Sequence, residues 1–184
     1  MESTSLNEKE LLDDKLNKVT LAYYQDPENE GKHQALLEFL QNNDCREVMA
    51  KCADGDNFAN ACLCAGYRDH RDILEAFLKH RINASIKDQY GDTALIAACS
   101  NGHEELVRLL LAYNIQYDSQ DDFGWTALMF ASCRGYKEIV QLLLDHGADA
   151  NLKNSHEQTA IDLAKYENIR YAIKHHVNTS YVLK

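Results

Sequence analysis

Two stretches of the chain share one pattern of apolar and polar positions. A short run that is apolar nearly all round, ALIAACS or ALMFASC, precedes a run with an apolar stripe and a polar face, HEELVRLLLAY or YKEIVQLLLDH. The stripe has helical spacing and predicts an amphipathic helix. The shorter run cannot face water on any side, so it predicts a helix held between neighbours. Thr93 and Thr126 stand where a side-chain oxygen can cap that first helix. Gly102 and Gly135 follow it, with Asp69 and Asn168 in the flanking copies, all residue types that tolerate a left-handed backbone. Asn114 and Gly147 are placed to end the second helices in the same way. NIQYDSQDDFGW and ADANLKNSHEQ read as polar turns between units.

The unit recurs with a fixed step. Gly91 to Gly124 is 33 residues, and Thr93, Thr126 and Thr159 keep that step twice. QTAIDLAKYENIRYAI begins a later copy, and NACLCAGYRDHRDILEAFL lies one register earlier. This predicts an all-α solenoid with a degenerate repeat at 55–87, repeats at 88–120 and 121–153, and a capping repeat at 154–177. In the last unit Glu157 replaces the glycine, and NIRYAIKHHV is short and polar, which suits a water-facing end. Residues 9–54 carry helical patterns in LLDDKLNKVTLAYYQ, ALLEFLQNN and CREVMAKCA, and form a helical extension that is either a degenerate repeat or an unrelated cap. Residues 1–8 are polar and predict a disordered tail, and 178–184 a frayed one.

The pattern resembles the ankyrin-repeat family. The matching residues are Gly91, Thr93, Ala94, Leu95, Ala97, Ala98, Gly102, His103, Val107 and Leu109 to Leu111 in one unit. In the next they are Gly124, Thr126, Ala127, Leu128, Ala131, Gly135, Ile139, Val140, Leu142 to Leu144, Gly147, Ala148, Asp149 and Asn151. The resemblance implies stacked helix-turn-helix units with β-turn fingers between them. The family's usual Thr-Pro-Leu-His is here Thr-Ala-Leu with Ile96, Met129 or Asp162 in the fourth place. That change removes a preset φ and a hydrogen-bonding histidine, and implies a less stable array. Asn151 resembles the asparagine that host oxygenases hydroxylate in this family; its plain reading is a turn-stabilising residue.

Composition narrows the partners. The formal net charge of −10 disfavours nucleic acid and anionic membranes. No stretch has the roughly 20 apolar residues of a membrane span, and MESTSLNEKELLDDK is no secretory signal. A cytoplasmic protein is expected, in the host cytoplasm or nucleus if it is a translocated effector. The cysteines at 45, 52, 62, 64, 99 and 133 form no CxxC pair and read as reduced structural thiols. No nucleophile elbow, HExxH, P-loop or GxGxxG occurs. His70 and His103 sit at the Gly-His place of the resemblance, and His175 and His176 point about 100° apart on a helix. Asp121 and Asp122 read as solvated turn acids. No catalytic residue, metal site or cofactor is expected.

What remains is recognition. The resemblance implies that the fingers and first helices line a concave surface where partners bind. Its occupants here are Gln89, Tyr90 and Asp92 on one finger, Asp122, Phe123 and Trp125 on the next, and Tyr67, Arg68, Ser100, Asn101, Cys133 and Arg134 at the ends of first helices. Aromatics rimmed by charge are the composition of an interface hot spot. The expected function is a non-catalytic, monomeric protein-binding module, acting as adaptor, inhibitor or competitor. The single Pro and frequent Asn fit an AT-rich genome and hence a bacterial effector acting in a host cell. Two rivals remain: an enzyme or toxin fragment with chemistry in residues 1–54, and an assembly subunit that self-associates through its aromatics.

Overall fold

The structure is a computed structural model that describes residues 2–43, 56–80, 85–113 and 115–182. Nine helices occur among the described residues: α1 Glu2–Gln25, α2 Glu30–Asn42, α3 Asp56–Arg68, α4 Arg71–Lys79, α5 Ala94–Asn101, α6 Glu104–Ala112, α7 Ala127–Arg134, α8 Lys137–Asp145 and α9 Glu167–Val182. They stack in two rows. In the inner row α1 packs on α3, α3 on α5 and α5 on α7; in the outer row α2 packs on α4, α6 on α8 and α8 on α9. The sole strand-like pairing among the described residues is one antiparallel bridge, Gln120 with Thr126.

The inner helices α5 and α7 begin where a threonine hydroxyl substitutes for missing backbone acceptors. Thr93 Oγ1 accepts from Ile96 N at 3.3 Å and Thr126 Oγ1 from Met129 N at 3.2 Å. Both end at a left-handed glycine, Gly102 at φ +79° and Gly135 at φ +90°. Ala94 to Cys99 are all buried, as are Ala127 to Met129 with Ala131 and Ser132. Outer helix α6 buries Leu106, Val107, Leu110 and Leu111 and leaves Glu105 and Arg108 in water. The core runs unbroken from Leu16 and Tyr23 to Ile169 and Ile173. Each fully buried Leu or Ile contributes about 1.5–3 kcal/mol.

The last unit departs from the sequence pattern. Thr159 starts one turn but no helix. Its N–H and hydroxyl both donate to Asp162 Oδ2, at 2.9 and 2.6 Å, and the turn breaks where Lys165 N donates to Ser132 O of the preceding repeat at 3.0 Å. Asn168 is not left-handed: it lies in α9, and its Oδ1 accepts from Ile169 N. The left-handed residue of this unit is Glu157, at φ +59°. Helix α9 continues through the stretch 178–182, and α1 takes in 2–8, both read from composition as loose tails. Asn114, Cys45 and Cys52 lie outside the described residues.

At the N-terminal end, α1 and α2 dock on α3 and α4 through a half-buried polar cluster. The Tyr23 hydroxyl and His70 Nδ1 share a hydrogen bond of 2.7 Å, and His33 Nε2 donates to Asp72 Oδ2 at 2.7 Å. The two imidazoles meet edge to face at 4.7 Å. Burial pushes the Tyr23 hydroxyl far up, so it stays protonated and keeps a proton to share with His70 Nδ1. Burial and the neighbouring His33 hold His70 below the usual histidine value, against the opposite pull of Asp72 and Glu28. Partial burial pushes the Asp72 carboxyl up, but the His33 ring and the Ile73 N–H outweigh it and keep it low. Arg68 pairs with Glu28 across the same junction.

A group with a depressed folded-state value favours folding above its unfolded value, near 6.5 for histidine, and that stability is lost as pH falls through the folded value. Stability should therefore hold from pH 8 to about 6.5 and decline below it, and His70→Gln should flatten the decline. Urea unfolding at a series of pH values checks this. Separately, Gly124→Ala should cost at least about 1 kcal/mol, because it forces a side chain into a left-handed backbone and against the Asn154 Cα, 3.0 Å from where its Cβ would be. Glu157→Gly should instead stabilise by up to about 1 kcal/mol, which thermal melting will read.

Candidate protein-interaction surface

The fingers between repeats are each built around one short acidic or amide side chain. Asp88, Asp121 and Asn154 stand 33 residues apart, and each Oδ1 accepts two backbone N–H groups. Asp88 takes Tyr90 N at 2.8 Å and Asp92 N at 2.9 Å; Asp121 takes Phe123 N at 2.9 Å and Trp125 N at 2.7 Å; Asn154 takes His156 N at 2.9 Å and Gln158 N at 3.0 Å. The main chain closes each loop, Asp88 N to Asp92 O, Asp121 N to Trp125 O and Asn154 N to Gln158 O, all within 3.0 Å. Asp121 is thus a structural acceptor rather than a solvated turn acid. Its signal was legible as an acidic or amide residue at the 33-residue step, three before the left-handed position.

Neighbouring fingers are bolted together. Asp122 N donates to Tyr90 O at 3.0 Å, and Ser155 N to Phe123 O at 2.9 Å. Gln120 Nε2 spans Gly124 O at 2.7 Å and Lys153 O at 3.0 Å, and Lys87 Nζ donates to Gln120 O at 2.7 Å. A Cβ on Gly91 would lie 2.7 Å from Asp122 N, so this close approach needs glycine as much as the φ does.

That scaffold separates the candidate residues. Tyr90 and Phe123 sit at equivalent finger positions, 59% and 62% exposed, with Gln89 and Asp122 exposed beside them. Trp125 is half-buried; its ring packs on Phe130 at 4.9 Å between centroids and against the core. Tyr67 lies along α5: its carbonyl meets His103 Nε2 beyond the helix end, and its hydroxyl donates to Asp92 Oδ2 at 2.6 Å before the helix start. Asp92 Oδ1 is enclosed without a partner. Partial burial raises the Asp92 carboxyl, the Tyr67 bond opposes this, and Asp88, Asp121 and Asp122 raise it further. Burial and Asp92 push the Tyr67 hydroxyl up in turn.

The helix-end residues are scattered. Arg68 is exposed and tied to Glu28. Ser100 Oγ and Asn101 Nδ2 both donate to Ala97 O at 2.9 Å, so they finish their own helix. Cys133 and Arg134 are exposed at the end of α7. Burial pushes the Cys62 thiol up to about 12 and Cys99 higher still. Among the described residues no group of three or more His, Cys, Asp or Glu side chains is arranged to hold a metal ion, and no helix is long and apolar enough to cross a membrane.

Paired inner and outer helices joined by hydrogen-bonded fingers define a helical-repeat solenoid. The family model described as "Ankyrin repeats (3 copies)" matches residues 28–121, 58–154 and 113–180, and the chain belongs to that family. Curated proteins give no match. Among solved structures the chain is similar to the ankyrin repeat domain of Bcl-3, described as a unique member of the IkappaB protein family, at 28% identity and a TM-score of 0.59. The likeness covers 62% of this chain and 50% of that one.

The two aromatics of one finger should respond differently to truncation. Trp125→Ala should cost about 2 kcal/mol, because it opens space beside Phe130, and Phe123→Ala less than about 0.5 kcal/mol. Asp121→Ala should destabilise more than Asp122→Ala, since two backbone N–H groups of the finger lose their acceptor. Denaturant melts of the four variants check both orders.

Proposed function

We propose that the protein is a non-catalytic protein-binding module whose finger row is its docking surface, and that it acts as an adaptor, inhibitor or competitor of a larger partner. One observation carries the reading. Tyr90 and Phe123 are large, rigid and mostly exposed, yet they sit on loops locked by backbone and carboxylate bonds through Asp88, Asp121 and the contacts between fingers. Such rings cost little entropy on binding and suit the centre of an interface. Trp125 supports the finger from beneath, while Tyr67 and Asp92 line its inner side. Membership of the ankyrin-repeat family and the likeness to a Bcl-3 domain support a binding role.

The composition favours an effector acting in a host cell, and a tagged copy expressed there would locate it. We read the protein as a monomer that leaves these aromatics for another chain. Tyr90→Ala with Phe123→Ala should abolish capture of partners from host lysate while helical circular dichroism and melting stay unchanged. Capture at wild-type level by this variant would sink the proposal, and a stable dimer in sedimentation that the same variant dissolves would favour self-assembly instead.

A further inference from the structure

The finger row carries a charge as well as its rings. Asp88, Asp92, Asp118, Asp121 and Asp122 lie in the segments 87–92 and 118–125, against the single cation Lys87. Lys87 is engaged by the Gln120 carbonyl. No lysine or arginine forms an ion pair with Asp88, Asp92, Asp121 or Asp122 among the described residues, although Asp14, Asp26, Asp72 and several glutamates elsewhere have cationic or imidazole partners. The carboxylates are also close. Asp122 follows Tyr90 directly across the finger junction, and the charges of Asp88, Asp121 and Asp122 all reach the Asp92 carboxyl and raise it. The surface thus concentrates five like charges around two exposed rings against the one cation Lys87.

We propose that the finger row takes a basic segment of a partner protein, with arginine guanidinium groups stacking on Tyr90 and Phe123 and pairing with the exposed Asp122, while the negative charge of Asp92 beneath draws them in. This deepens the proposed function and rests on it. A guanidinium is planar, so one face can lie on a ring while its edge donates to a carboxylate, and it loses little hydration in doing so. An ammonium offers no such plane, which makes arginine preferred over lysine. An acidic or apolar segment would leave the four carboxylates uncompensated on association.

The test uses the full-length chain and labelled flexible peptides repeating Arg-Gly-Ser, Lys-Gly-Ser or Glu-Gly-Ser, read by fluorescence anisotropy. The arginine peptide should bind tightest, the acidic one least, and binding should weaken with salt. Asp92→Asn with Asp122→Asn should weaken the arginine peptide about tenfold, as should Tyr90→Ala with Phe123→Ala. Glu138→Gln with Asp145→Asn, which removes the same charge from outer helix α8, should change it less than about twofold. Circular dichroism must show each variant folded. Equal losses from the two charge variants would mean attraction to net charge alone and would overturn the proposal. So would no detectable binding, arginine and acidic peptides that bind alike, or an aromatic variant that binds normally. If the aromatic variant loses capture from lysate while the finger charge variant keeps it, the docking surface stands and the basic occupant falls.

Discussion

Everything in this molecule depends on inner helices that are apolar on every side. Helices α5 and α7 have no face to give to water, so neither is stable unless a neighbour covers it front and back. The stack is therefore cooperative: removing one repeat uncovers the next. It also fixes where the fingers go. Thr93 and Thr126 are buried caps, and each finger ends one residue before its cap. Burial of the inner row thus holds the finger bases in register, and the bonds through Asp88 and Asp121 fix the tips.

The repeat was legible because it is local chemistry copied at a fixed step. Caps, left-handed glycines and buried faces must be the same in each unit, since each meets the same surroundings. The last unit was misread for a long-range reason. Nothing within residues 159–165 says that Lys165 N will donate to Ser132 O and break the helix. The polar cluster at the N-terminal junction was equally silent, because Tyr23, His33, His70 and Asp72 come from three helices and one connecting turn.

The finger residues show the same division at closer range. The positions of Phe123 and Trp125 on a finger follow from the register, yet a single residue separates a ring that faces out from one that packs inward. The difference comes from the path set by Asp121 and the left-handed Gly124 between them, with Phe130 waiting on one side. Ser100 and Asn101 shared a helix-end position with plausible contact residues, but their short polar side chains bond back to Ala97 O.

Glu157 has a consequence for how this array ends. At Gly91 and Gly124 the missing Cβ leaves room for the backbone of the next finger. At 157 a charged side chain occupies that room, held by Lys153 at 2.8 Å. Solenoid ends are sticky, because a stack that accepts one more unit can accept a unit from another molecule, and head-to-tail addition of that kind does not close on itself. A glutamate on a strained backbone at this position leaves less room than a glycine for a further finger to dock against it.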